Sequence, residues 1–319
     1  MPKYVATMTR KACQRLAEIV VNGTPDEVEK AFRNLARRMP KDPVGKRNTW
    51  KQFARKFARW VTAGMPVDSL PFKAFKYGNS KLPFLAFSSL PGVTCPGAGE
   101  CLEWCYSFRG WRYPAAFFRQ CQNTLLLQSS DGRRVLADTL RNEVKKHNKR
   151  ERRRIQHGQQ LPAKPLYFRL YVDGDFANNS DVGFWFETLR SVPTLKAYGY
   201  SKSWELLRDY AGQYPSNYKL NLSSGSKYAA DETITAEMMG LTITRGMFNG
   251  VPLSGKYAKG FARFEDANMH AEVRSILKTQ YPGLPVFSCT GKCGECTAGE
   301  HACGSDRFDK VLIGIGIHG

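Results

Sequence analysis

Seven of the nine cysteines fall into two short groups whose spacing suits metal ligation. Cys95, Cys101 and Cys105 form C-x5-C-x3-C within TCPGAGECLEWCY, where Pro96 fixes a turn and Gly97 and Gly99 relax the backbone so that the sulfurs can converge. Three thiolates from one loop suit an iron–sulfur cluster of 4Fe-4S type with one iron open, or a zinc ion that takes a fourth ligand elsewhere. Cys289, Cys293, Cys296 and Cys303 lie in FSCTGKCGECTAGEHACG, separated by Gly, Lys, Thr and Glu, so burial does not explain them. Four thiolates complete a shell for zinc or for an iron–sulfur cluster, and spacing does not choose between the two. His301 could substitute as a ligand, but a shell already complete leaves it facing solvent. Cys121 stands at helical spacing beside Phe117, Phe118 and Leu125, which favours a buried thiol over a fourth ligand for the first group. Cys13 reads as a small packing residue.

Other polar residues could do chemistry near the first group. Asp173 and Asp175, in D-G-D, could hold a hard metal ion for phosphodiester cleavage, with Tyr171 as a candidate partner. Lys202, in Tyr200-Ser201-Lys202-Ser203, could contact a phosphate or carboxylate, or form a plain salt bridge. The five histidines form no catalytic pattern.

The charge is also concentrated. Of a net +20, residues 1–62 carry 15 Lys and Arg against 5 Asp and Glu, and residues 141–154 (RNEVKKHNKRERRR) carry 8 against 2. Clustered cations bind polyanions because neutralised phosphates release counterions, which favours nucleic acid over a solvated face without a partner. Candidate contacts are Lys51, Arg55 and Arg59, spaced by four on one helix, and Lys149, Arg150, Arg152, Arg153 and Arg154.

Elements that position these residues can be read from periodicity. Three helical patterns fill residues 1–62; the second opens at Thr24-Pro25 with Glu27 as a capping box, and the third turns Trp50, Phe53, Ala54, Phe57 and Val61 inward. We expect a basic helical module over 1–64, a Pro-rich linker over 65–81, and an α/β metal-binding domain over 82–319 with the C-terminal cysteine group. Expected strands are 82–87, 166–172, 195–200, 218–222, 241–244, 286–288 and 311–317. Helical patterns at 113–128, 133–148, 181–190, 203–211, 231–239 and 265–279 lie between several of them. This alternation predicts a parallel sheet, open or barrel-like, with functional groups at the carboxyl ends of its strands. No apolar run could cross a bilayer and the first residues lack a signal-peptide pattern, so a cytoplasmic protein without a membrane partner is expected.

The stretches TCPGAGECLEWCYS, YVDGDFAN, YGYSKSWELL and YPSNYKLNLSSGS, with the C-terminal cysteines, make the chain resemble the phage family called gene product eighty-eight over about residues 80–305. That family resembles radical S-adenosylmethionine (SAM) enzymes, whose barrels carry a three-cysteine loop after the first strand. The resemblance implies a partial, radical-SAM-like parallel barrel. Cys95, Cys101 and Cys105 would be the cluster ligands, with Trp104 as the aromatic residue before the third, and the open iron would take the amino acid part of SAM. Gly174 and Asp175 would meet the methionyl amino group, so Asp175 and Lys202 become the catalytic candidates. The spacing departs from the superfamily's C-x3-C-x2-C, which recurs at Cys289, Cys293 and Cys296; the fourth cysteine makes that group an auxiliary or structural centre. The leading expectation is an iron–sulfur protein of phage or plasmid type acting on or near nucleic acid. Its rivals are a zinc-stabilised nucleic-acid-binding protein and a metal-dependent nuclease or replication-type enzyme.

Overall fold

A computed structural model describes residues 8–40, 49–78, 82–158, 163–254, 266–293 and 301–317. Its first three helices are α1 (Arg10–Asn22), α2 (Pro25–Arg38) and α3 (Trp50–Thr62). Each starts where a threonine accepts an otherwise orphaned amide: Thr9 from Ala12, Thr24 from Glu27, Thr49 from Gln52. Glu27 returns the bond to Thr24, and Pro25 opens the helix, so the expected capping box is present. Their apolar faces bury Val28, Phe32, Leu35, Trp50, Phe57 and Trp60.

These faces do not close on themselves. They pack on α6 (Pro114–Leu127), where Phe118 meets Phe32, Trp50 and Phe57 with ring centroids 5.5–5.9 Å apart. The helical module therefore shares one continuous core with the sheet. Between them, Phe72 exchanges backbone hydrogen bonds with the Gln122 amide at 2.8 and 2.9 Å.

The sheet comprises β1 (Lys76–Tyr77), β2 (Leu85–Ala86), β3 (Leu166–Leu170), β4 (Leu195–Ser201), β5 (Tyr218–Ser223), β6 (Thr244–Pro252), β7 (Val286–Ser288) and β8 (Val311–Ile317). Its order is β1-β2-β3-β4-β5-β6-β8-β7, parallel except for the β1–β2 pair. Strands β2 to β6 lie side by side in chain order, as in a singly wound sheet whose right-handed crossovers put their helices on one face. Among the described residues no pairing joins β1 to β7.

The remaining helices are α4 (Cys101–Trp104), α5 (Tyr106–Gly110), α7 (Ser130–Gln156), α8 (Asn179–Arg190), α9 (Trp204–Arg208), α10 (Glu232–Gly240) and α11 (Ala267–Gln280). Period-two alternation separates the sheet's faces. Phe168, Leu170, Leu195, Ala197, Leu220 and Leu222 join the main core with Trp185 and Trp204. The opposite face carries Tyr198, Tyr200, Phe248, Val311 and Ile313. The basic run at 149–154 forms the last turns of α7. The expected strand 241–244 is displaced: Leu241 caps α10, and β6 begins at Thr244. TRGMFNGVP has weak strand character by itself and is held by pairing to β5 and β8 on both sides. Among the described residues no helix is long and apolar enough to cross a membrane.

Candidate functional site at the carboxyl edge of the sheet

Pairing between the β2 and β3 segments continues past β2, through Phe87 N–H to Arg169 O (3.1 Å) and Ser89 N–H to Asp173 O (3.0 Å), and delivers the chain to the carboxyl edge. The first cysteine loop starts there and is stitched across the ends of β4 and β5. Gly99 N–H donates to Gly225 O at 3.0 Å, Lys227 N–H to Gly97 O at 2.9 Å, and the Ser226 hydroxyl reaches Gly97 O (3.2 Å) and Lys202 O (2.8 Å). Glycine is required at two of these crossings. A Cβ on Gly97 would lie 1.8 Å from Lys202 O, and one on Gly225 2.5 Å from the Cys101 Cβ. From the other side, the Arg10 guanidinium of α1 donates to Leu102 O (2.6 Å) and Glu103 O (3.2 Å) and stands 4.2 Å from the centroid of the Phe108 ring.

The loop brings Cys95 and Cys101 each into the field of Cys105, and both into the field of Lys202. Cys101 is buried and the other two half-buried. Burial pushes the Cys95 and Cys101 thiols up, while the Lys202 ammonium and the Gly92 and Gly99 amides pull them down. Burial also depresses Lys202, but the charges of Cys101, Asp175 and Cys95 outweigh it and hold the ammonium above its usual range. Among the described residues no three His, Cys, Asp or Glu side chains form a ready metal-binding set.

Asp175 is 2% exposed and fully engaged. Its Oδ1 accepts from the Ser201 hydroxyl and Phe176 N–H, both at 2.8 Å, and its Oδ2 from Lys202 N–H (2.7 Å) and Ser203 N–H (3.2 Å). The carboxylate thus fixes the turn that carries Lys202. Burial still moves its pKa upward against these bonds. Gly174 has φ +80°, and a Cβ there would come 2.0 Å from the Ser89 hydroxyl. Asp173 faces elsewhere, accepting from Ser88 (3.1 Å) and Gln120 (3.0 Å). Tyr171, with φ +55°, is buried on the helix side and accepts from Trp185 Nε1 at 3.0 Å. The two aspartates share no hydrogen-bond donor, and Tyr171 bonds to Trp185 rather than to either.

The second cysteine group lies across the sheet face opposite the helices. Cys289 follows β7 with its N–H on Gly314 O at 2.7 Å. The Tyr200 hydroxyl is 2.7 Å from Cys303 Sγ, and the Tyr198 hydroxyl 3.9 Å from Cys293 Sγ. Cys296 and the side chain of Trp104 lie outside the described residues. His301, expected to face solvent, is 3% exposed. Its ring packs on Phe84, Tyr167 and Tyr198 at 4.7–4.8 Å, because the segment folds back onto the aromatic face of the sheet.

Arg169 was not anticipated from sequence. Its guanidinium lies 4.7 Å from the Tyr200 ring centroid and donates to the Tyr106 hydroxyl at 3.4 Å, so one side chain touches tyrosines beside both cysteine groups. An arginine alternating with the core residues Phe168 and Leu170 of β3, among aromatic neighbours, was the available signal.

The basic candidates separate. Lys51, Arg55 and Arg59 line a groove between α2 and α3. Lys149, Arg150, Arg152 and Arg153 are exposed at the end of α7. Arg154 pairs with Glu151 at 2.5 Å, and Glu151 also holds Lys164 N–H just ahead of β3, at the amino edge of the sheet.

No curated protein and no solved structure matches the chain. A sequence model of the family described as gene product 88 matches residues 53–246, from α3 into β6. The matched span holds the first cysteine loop, Asp175 and Lys202, and leaves the second cysteine group outside it. Because it covers more than half of the chain, the chain belongs to the gene product 88 family, a phage gene-product family.

Proposed function

We propose that this chain is an iron–sulfur protein whose cluster is held by Cys95, Cys101 and Cys105 at the carboxyl edge of a radical-SAM-like partial barrel, and that it acts on or beside nucleic acid. The observation that carries the reading is the loop itself: three thiols after the first parallel strand, clamped to the β4 and β5 ends, with Cys95 and Cys101 in the field of Lys202. The consecutive parallel order of β2 to β6 supports the barrel-like part.

The donor set suits such a group, since thiolates are the ligands and hydrogen bonds and nearby cations set how readily they stay charged. When bound through three thiolates, the cluster supplies one-electron chemistry at its open iron. Lys202 offsets thiolate charge, Asp175 positions Lys202, and Gly174 lets the β3 end approach the loop. Asp175 already accepts four bonds, which fills a carboxylate's lone pairs and leaves none for the SAM ammonium.

Anaerobic purification with iron, sulfide and zinc analysis and a visible spectrum tests the reading. Iron and sulfide lost in Cys101→Ser but kept in Cys121→Ser are expected. A colourless protein holding only zinc overturns the cluster and favours metal-supported folding.

A further inference from the structure

The helical module has a partner surface that its sequence pattern shows only in half. Lys51, Arg55 and Arg59 of α3 face Lys30, Arg33 and Arg37 of α2 across a groove of ≈ 920 Å³. The lining also includes Asp26 and Glu29, giving six cations against two acids. Glu29 is paired with Arg33, whereas Lys30, Arg55 and Arg59 enter no ion pair among the described residues.

Two features narrow what this groove can hold. First, its aromatic neighbours are turned away: Phe32 and Phe57 are 0% exposed, Trp50 2% and Trp60 5%. Among the described residues no aromatic side chain lines the groove. Single strands are held by bases stacked on aromatic rings, and that platform is missing here. Second, the surface is concave. A recognition helix reads base edges by entering a DNA groove, while a cation-lined hollow admits a ridge, and the ridge of a duplex is its phosphate backbone.

Resting on the reading that the chain works on nucleic acid, we infer that the α2–α3 groove is a docking site for the phosphate backbone of duplex DNA, without sequence readout. RNA duplexes are read largely through their 2′-hydroxyls, and a groove dominated by guanidinium and ammonium groups offers little beyond charge for that purpose. The chain's second basic patch, at the end of α7, lies on a helix terminus rather than in a groove, and Arg154 there is paired with Glu151.

The test is fluorescence anisotropy with short labelled DNA duplexes, the corresponding single strand and an RNA duplex, titrated over a range of salt. Duplex DNA should bind most tightly and equally for unrelated sequences. The triple variant Lys30→Gln/Arg55→Gln/Arg59→Gln should reduce the slope of log K against log salt by about 3, near one for each phosphate no longer neutralised. These side chains are exposed, so an unchanged circular dichroism melt confirms the fold. A variant at Lys149, Arg150, Arg152 and Arg153 should leave most of the slope intact.

Tighter binding to single strand or RNA duplex, strong sequence preference, or loss confined to the α7 variant overturns the groove assignment and leaves the nucleic-acid reading standing. Absence of binding to every nucleic acid at low salt sinks that reading itself.

Discussion

Replacing Gly97 by alanine asks whether the cysteine loop is clamped to the sheet. The new methyl group would stand 1.8 Å from the Lys202 carbonyl oxygen, 2.4 Å from its carbon and 2.7 Å from Ser203 Cα. All three are backbone atoms, so no rotamer relieves the clash. Carbon–oxygen contacts settle at about 3.3–3.6 Å, which makes the loop retreat by about 1.5 Å. At that displacement the bonds from Lys227 N–H (2.9 Å) and the Ser226 hydroxyl (3.2 Å) to Gly97 O are lost. Two such bonds at about 1 kcal/mol each, with about 1–3 kcal/mol for overpacking, give a loss of about 3–5 kcal/mol. Urea denaturation should show it as a lowered midpoint at unchanged m-value. Gly183, in α8, has no atom within 4 Å of its would-be Cβ. Gly183→Ala should therefore gain about 0.5–1 kcal/mol, a control from the same experiment. A Gly97→Ala protein within about 1 kcal/mol of the parent would refute the clamp.

Arg10→Ala removes the guanidinium from Leu102 O and Glu103 O, so deuterium exchange across residues 100–108 should quicken, with a stability loss of about 1 kcal/mol. Exchange unchanged there would show that α1 does not hold the loop. Asp306 is held down to about 2 by Lys196 and Lys219. Its contribution is present above an ordinary aspartate pKa of about 3.9 and is lost as pH falls toward about 2. With that side chain 58% exposed the pair is worth under about 1 kcal/mol, so parent and Asp306→Asn melting curves should converge across that window. Cys13, whose thiol burial pushes up to about 12, and Cys121, pushed up likewise, are both 0% exposed. Iodoacetamide on the folded protein should label the half-buried Cys105, Cys289 and Cys293 before Cys13 and Cys121 by mass spectrometry. Early labelling of Cys13 would contradict the packing of α1 on α6.

Local signals carried much of this architecture. Thr24-Pro25-Glu27 marks a helix start by its own chemistry, and the apolar runs of β3, β4 and β8 have few alternatives. What escaped depends on partners far along the chain. The saturation of Asp175 needs donors 26–28 residues away, and nothing within D-G-D announces them. The burial of His301 comes from aromatic residues more than 100 positions earlier. Strand β6 is imposed by its neighbours on both sides. The α2 side of the basic groove, Lys30, Arg33 and Arg37, was not singled out from sequence, because only the packing of α2 on α3 sets it opposite Lys51, Arg55 and Arg59.

The position of β8 has a consequence for how the molecule is assembled. It follows β7 in the chain yet lies between β7 and β6, and among the described residues β7 pairs with β8 alone. A growing chain therefore emits β7 before the strand that can attach it, leaving the edge of β6 open as a template for wrong pairing until β8 arrives. The connection that must wait through this interval carries Cys289, Cys293, Cys296 and Cys303. Closing that connection early, by a metal or by oxidation, would shorten the search of β8 for its slot, whereas tying its cysteines to others would strand β7 outside the sheet.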